Sequence, residues 1–498
     1  MLNAALFPTD DIEDWIPGSD ERFDFCVHFH DVDATVFLIF LPKILPKFEK
    51  MFYSIGMKWN SNFLPLVALG ALSSASHAVR VYLPDASINA VRVFESDDGA
   101  YKGLIGSGFF NSQTYACAVN PTDGYLYVAV YSNGSGGTND GSVLRFDPWT
   151  GAYAGQVGNG FLSDPVSIAF GPDGNMYVGD SGGGNDLIFR FNPATGAYLG
   201  TLGNGFVSDA LGLLAIGFGA DGNLYASANS GQALARLNPT TGAYLGLLGN
   251  GFFNTLSAIT TDLNGRLLVG QFNGTGSQMR FRETDGAYLG MFANSGFAPS
   301  VSGSGTLPNG YTVVRATSGS TQYVARFDPT DGAYKGLFAA NYGMSGFGLG
   351  VEQPATITGT VDLDAEFSGG SFPAVVELRN PDGSLAEPGV TVNVTDNGSF
   401  SYTTYKRGNY KLSIKPSHWL RKGSATFAIG RVGASLPSFF CINGDLDGDN
   451  EVGPGDFEIV VADFGNSAPT PGDLDGDGET GPSDFEYVVQ YFGTPGDF

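Results

Sequence analysis

Histidine and cysteine are nearly absent, with four and three copies in 498 residues. Cys26, Cys117 and Cys441 lie too far apart for a metal knuckle or a redox pair. A Cys117–Cys441 bridge would have to join two separate regions, and buried or free thiols are the simpler expectation. The histidines are His28, His30, His77 and His418, so none falls within residues 79–353. That disfavours chemistry there that needs an imidazole base or ligand. No Ser-His-Asp or paired-carboxylate set can be assembled, and no catalytic residue is assigned. Cations are scarce as well: 25 Lys and Arg face 50 Asp and Glu, for a net charge of −25. Such a chain repels nucleic acid and anionic membrane and attracts cations.

Long hydrophobic runs are also missing. Val36–Leu45 is interrupted by Pro42 and Lys43, and Phe63–Leu72 is too short to span a bilayer. Met57-Lys58, the apolar stretch Phe63–Leu72 and Ser76-His77-Ala78 form instead the pattern of a secretory signal peptide. Residues 1–56 are read as a non-native upstream extension, with Met51 or Met57 the true initiator, and 57–78 as the signal. The rival reading makes Val36–Leu45 a membrane anchor. A secreted, extracellular or cell-surface protein beginning near Val79 is expected, with no integral membrane segment.

What the chain has is glycine, 73 copies, and aromatics at 13%, a turn-rich all-β composition. Asp98-Gly99-Ala100-Tyr101 recurs as Thr150–Tyr153, Thr195–Tyr198, Thr241–Tyr244, Asp285–Tyr288 and Asp331–Tyr334. Its 44–52-residue spacing suits the blades of a β-propeller. First strands are expected near 114–119, 166–170, 213–218, 256–261, 300–306 and 345–351, punctuated by Pro-Asp-Gly and Pro-x-Thr-Gly turns. The first hairpin, Val91–Ile105, has no inner strand before it, and 345–351 has nothing after it. Val79–Leu83 should therefore pair with Phe347–Val351 and close a six-bladed β-propeller over 79–353. Pro165–Val178 resembles an NHL-type propeller repeat, which implies a fold and hardly an activity.

Related six-bladed folds include calcium-dependent lactonases and lyases. A lactonase-like site would draw on Asp164, Asp180, Asp209 or Asn229, although each sits where Asp and Asn usually cap turns. Gly158-Asn159-Gly160-Phe161 recurs at 203–206 and 249–252. Phe161, Phe206 and Phe252 either form an aromatic ring for a carbohydrate or peptide ligand on the propeller loop face or plug the seams between blades.

From Pro354 to 440 a different alternation sets in: Thr356–Leu363, Ala374–Arg379, Val390–Val394, Ser399–Thr404 and Asn409–Lys415. Ile357–Val361 and Gly398–Tyr402 make this β-sandwich similar to carboxypeptidase-regulatory or transthyretin-like modules, usually spacers or stalks.

Residues 441–498 hold fourteen acidic residues and no Lys or Arg. Asp445, Asp447, Asp449 and Asp456 occupy positions 1, 3, 5 and 12 of a loop, and Glu451 at position 7 would offer its carbonyl. Asp473, Asp475, Asp477, Glu479 and Asp484 repeat the pattern 28 residues later. Position 6 must turn sharply, which suits Gly478 and is tolerated by Asn450. Helices are expected over Phe457–Phe464 and Phe485–Phe492, each beginning at its loop's last ligand. Two loop-plus-helix units resemble a type I dockerin, a small α-helical domain, which implies two Ca²⁺ ions and a cohesin-like or cell-surface protein partner. Positions 10 and 11, Pro454-Gly455 and Pro482-Ser483, depart from the hydroxyl residues with which dockerins often read a cohesin. The chain reads as a mainly β, non-catalytic secreted protein: a six-bladed β-propeller for binding or scaffolding, a β-sandwich and a calcium-dependent docking tail. The alternative is a secreted calcium-dependent lactonase- or lyase-like enzyme targeted by that tail.

Overall fold

The computed structural model describes residues 79–498 except 111–112, 132–139, 183–185, 204–212, 229–231, 250, 254, 272–277, 293–299, 319–320, 329, 341–347, 364–370, 468–469 and 498. The expected extension and signal peptide, with Cys26, lie outside the described residues. The described chain belongs to one compact unit and is mainly β, with two short helices near its end. No helix among the described residues is long and apolar enough to cross a membrane.

Residues 80–351 form six four-stranded antiparallel sheets. Five use consecutive strands, the first being Thr114–Val119, Leu126–Val130, Gly141–Phe146 and Tyr153–Leu162. The next four begin at Pro165, Ile216, Leu256 and Ser300. The sixth draws on both ends of the region: Gly350–Val351 pairs with Arg80–Asp85, placing Val81 opposite Val351 and Tyr82 opposite Gly350. The expected pairing of the two ends is thus present, shorter than read, with Phe347 outside the described residues. The strand expected at 213–218 begins only at Ile216. First strands neighbour one another in turn, from Thr114–Val119 through Ser300–Thr306 to Gly350–Val351 and back. Small residues line the space among them because six strands crowd there. A Cβ on Gly303 would lie 3.0 Å from the Gly348 backbone.

An arginine on the third strand of a sheet reaches the turn of the following one. Arg145 Nη1 donates to the Pro193 carbonyl at 3.2 Å, Arg190 to Pro239 at 3.1 Å and Arg236 to Glu283 at 3.2 Å. Arg280 reaches Thr330, and Arg326 reaches Ser96 and Asp97 of the sheet that joins the two ends. Tyr127 and Tyr177, wholly buried on second strands, send their hydroxyls to the Pro193 and Pro239 carbonyls as well. The accepting turns are themselves fixed by Asx caps: the Asn192 side chain takes the N–H groups of Ala194 and Thr195. Between these polar latches sit wholly buried Phe94, Phe146, Phe191 and Phe281, each contributing about 2–3 kcal/mol by burial.

In residues 355–441, Ala355–Leu363, Ser399–Thr404, Gly433–Ser435 and Phe439–Cys441 associate on one side. Phe372–Arg379, Val390–Val394 and Gly408–Pro416 associate on the other. Both groups contribute to one core that includes Ile357, Val376, Leu378, Leu412, Ile414 and Trp419. The five expected strands occur within two residues of their boundaries. Cys117 and Cys441 are buried free thiols, so no bridge joins them.

Cations again hold this region to the six sheets. Arg431 donates to Asp147 at 2.9 Å and lies over the Tyr125 ring at 3.7 Å. Arg407 donates to the Gln353 carbonyl at 2.8 Å and stands 3.7 Å from Glu352. Burial pushes the Glu352 carboxyl up to about 7, despite the Arg80 N–H it accepts and the nearby Arg407 and Arg80 charges.

Two outcomes are expected. Arg326→Met removes hydrogen bonds of a charged donor, about 2 kcal/mol, and should lower Tm by about 4 °C in calorimetry. Arg282→Met, whose partner Asp285 is exposed, should leave Tm nearly unchanged. A raised carboxyl pKa favours the folded state below its unfolded value, and that advantage is lost as pH rises through about 7. Glu352→Gln should therefore match the wild-type Tm near pH 4 and exceed it at pH 8, which melting curves across that range check.

Candidate metal centre

Each acidic loop folds around its last aspartate. Asp456 Oδ1 accepts the N–H groups of Leu446 at 2.6 Å and Asp447 at 3.0 Å, and Oδ2 that of Gly453 at 2.7 Å. Asp484 repeats this with Leu474, Asp475 and Gly481 at 2.6, 3.1 and 2.7 Å. Both aspartates are wholly buried. The sharp turn at position 6 has φ 72° at Asn450 and 100° at Gly478, the left-handed region that Asn and Gly tolerate best.

Helices α1 (Pro454–Asp463) and α2 (Pro482–Tyr491) begin three residues earlier than expected. Proline opens each because the first helical N–H needs no partner, and the loop's last aspartate stands inside the first turn, capping the glycine N–H before it. In the first loop, Gly455 at position 11 lies directly against the Asp447 carboxylate, which would have to turn aside for any side chain there.

The structure brings carboxylate oxygens of Asp445, Asp447 and Asp456 within 4.8 Å of one another, and likewise those of Asp473, Asp475 and Asp484. It leaves Asp449 and Asp477 out of these groups; they accept the N–H groups of Glu451 and Glu479. Glu451 and Glu479 point side chains to solvent, consistent with a role through the carbonyl alone. The clusters carry electrostatic strain. Asp447 accepts the Asp449 N–H, which favours its charged form, yet burial and the charges of Asp456, Asp449 and Asp445 raise its pKa. Burial first, then Asp484, raises that of Asp473. Asp445 Oδ1 and Asp473 Oδ1 are buried with no hydrogen-bond partner. Orphaned carboxylate oxygens among like charges fit a hard divalent cation, which takes only oxygen ligands.

Residues that the loop pattern could not reveal seat this site on the preceding region. Leu420 packs with Val452, Val460, Leu474 and Val488. Asn443, wholly buried, meets His418 Nδ1 at 2.9 Å and donates to the Leu474 carbonyl at 2.8 Å. Burial first lowers the His418 pKa, against the hydrogen bond to Asn443. The Asn450 side chain accepts the Arg421 N–H at 2.8 Å and donates to Asp497 at 3.1 Å. Lys415 Nζ lies 2.5 Å from Asp445 Oδ2.

Of the candidates in 79–353, Asp164 and Asp180 are among the described residues. Asp180 accepts the N–H groups of Ser163, Asp164 and Gly182 at 2.7–3.2 Å, a turn cap. Asp209, Asn229 and Phe206 lie outside the described residues. Among the described residues no carboxylate cluster occurs in 79–353. The cavity among the first strands is about 80 Å³, smaller than the several hundred Å³ of small-molecule pockets. Phe161 stacks on Tyr198 of the following sheet at 4.5 Å, and Phe252 meets Tyr288 at 5.0 Å. Each phenylalanine therefore covers a seam, while keeping 43% and 49% of its surface exposed.

No curated protein matches this sequence. Solved structures similar to it include a protein of unknown function from Bacteroides caccae, 12% identical over 55% of this chain and 98% of that one, with TM-score 0.43. A chain of a nidogen/laminin complex is also 12% identical over 55% and 98%, with TM-score 0.44. A chain of a type II cohesin–X-dockerin complex from Acetivibrio cellulolyticus is 18% identical over 28% and 97%, with TM-score 0.24. Residues 106–288 match the family described as a repeat of unknown function, DUF6923.

Proposed function

We propose that this chain is a secreted or cell-surface display protein without catalytic activity, attached to its partner through a calcium-dependent tail. In this reading the six sheets are the blades of an NHL-like propeller that presents loops for binding. Residues 354–440 are a carboxypeptidase-regulatory or transthyretin-like sandwich acting as the spacer, and 441–498 are a dockerin-like module. The observation that carries the reading is the pair of matched aspartate triads, 28 residues apart, each with an orphaned buried oxygen. When bound, calcium would supply only charge neutralisation and oxygen coordination. Asp445, Asp447 and Asp456 would hold one ion, and Asp473, Asp475 and Asp484 the other, with Asp449, Glu451, Asp477 and Glu479 completing the loops.

A protein partner is supported by the outer faces of the helices. Val461 and Phe464 on and beside α1, and Val489 and Phe492 at the same positions of the second unit, are each more than half exposed. Four large apolar groups repeated at a 28-residue interval make a surface suited to a cohesin-like protein. Pro454 and Pro482 open the helices where hydroxyl residues would otherwise contact it.

Isothermal titration of the full secreted chain should find two calcium ions. Asp445→Ala with Asp473→Ala should abolish both, and should lose the calcium-induced rise in melting temperature while the largest, β-rich transition is unchanged. Wild-type protein that binds no calcium would end this reading. Binding should weaken as pH falls, and earlier than ordinary aspartate titration, because burial and like charge raise Asp447 and Asp473.

A further inference from the structure

The two acidic loops match in sequence but not in surroundings. Lys415, on the strand Gly408–Pro416, is 13% exposed and places its ammonium 2.5 Å from Asp445 Oδ2. Its other protons go to the carbonyls of Trp419 at 2.9 Å and Ser417 at 3.2 Å. All three ammonium donors are therefore engaged and the side chain is fixed. The Asp445 backbone is fixed too, its N–H donating to the His418 carbonyl at 2.9 Å. Asp445 has a fully buried side chain, and only its Oδ1 lacks a partner. One oxygen thus belongs to Lys415 and the other is free toward Asp447 and Asp456. The second loop has no counterpart: among the described residues no ion pair reaches Asp473, Asp475, Asp477 or Asp484.

We propose that Lys415 makes the two calcium sites unequal, so that the Asp473 loop fills first and the Asp445 loop is a weaker site tuned by the neighbouring region. This rests on the calcium reading above. Lys415 acts as a positioning residue. It orients the Asp445 carboxylate with one oxygen turned into the loop, as outer-shell partners of metal ligands do. It also puts a unit positive charge next to the place where a divalent ion would settle. Orientation favours binding and repulsion opposes it. With Asp445 already held by its backbone, repulsion prevails. Even at the dielectric of water, a single and a double charge about 5 Å apart repel enough to weaken binding about tenfold. Lys415 reaches only Oδ2, so Asp445 Oδ1, buried and unpartnered, is left for an ion.

The same pair gives the first loop a second property. With Asp445 neutralised by Lys415, that loop can hold its shape before calcium arrives. The second loop has only its own like charges. Calcium should therefore act first on the loop that most needs it, and the weaker site should report calcium levels near the upper end of the range.

Titration calorimetry of the full chain tests this. Wild type should show two binding steps at least about tenfold apart. Asp473→Ala should remove the tighter step and Asp445→Ala the weaker one. Lys415→Met should tighten the weaker step about tenfold and bring the two together. Lys415→Gln, which keeps hydrogen bonding without charge, should do the same, and equal far-UV circular dichroism would show that both variants fold. Two equal steps in wild type, or a first site weakened in both lysine variants, would overturn the inference and leave calcium binding intact. One ion per chain, removed entirely by Asp473→Ala, would also overturn it and show that lysine has displaced the metal. Absence of all calcium binding would overturn the calcium reading itself.

Discussion

In a chain with twice as many acids as bases, many of the cations sit at seams. Arg145, Arg190, Arg236, Arg280 and Arg326 each leave their own sheet to bond a carbonyl in the next. Arg431 and Arg407 fasten the sheets to the region after them. Lys415 and Lys422 fasten that region to the tail, through Asp445 and Asp497. A charged donor meeting a carbonyl or carboxylate is worth more than a neutral hydrogen bond. Hydrophobic burial supplies the bulk of the stability within each sheet, through residues such as Phe191 and Tyr177. The directional contacts that fix how sheets and regions meet come from these few guanidinium and ammonium groups.

Much of this was legible in the sequence where a repeat enforced it. The Gly-Ala-Tyr recurrence located the outer strands, and the unmatched hairpin at 91–105 located the pairing of the two ends. What escaped were contacts that cross from one unit to another. Arg145, Arg190 and Arg326 stand in Arg-Phe-Asp-Pro or Arg-Phe-Asn-Pro phrases before the turns, yet periodicity within a strand says nothing of where a long side chain ends. Arg190 and Pro239 are 49 residues apart, about one repeat, and that interval was read as spacing rather than as contact.

The carboxylates that gather in each acidic loop were legible, except for Asp449 and Asp477, because twelve-residue spacing is local. The helix starts were misplaced by three residues because Asp456 and Asp484, read as the last residues of the loops, also cap the first turns. Pro454 and Pro482 were the available cue. Asn450 was read correctly as the residue that takes positive φ, but its side-chain bonds to Arg421 and Asp497 were hidden. They explain why the first loop has Asn where the second has Gly478: glycine would turn as well but could not hold the tail to its neighbour. Lys415 lies 30 residues from Asp445 on a strand of another region, and no local pattern could have joined them.

The tail is thus continuous with the region before it, through Leu420, Asn443 and the Lys415–Asp445 pair, and calcium would complete a seam that cations of the protein begin. Hydrogen exchange of the full chain with and without calcium tests this most directly. Calcium should slow exchange in 445–456 and 473–484 and also in 415–423, with the six sheets unchanged. No change in either loop, or slowing in the loops with none in 415–423, would contradict the account.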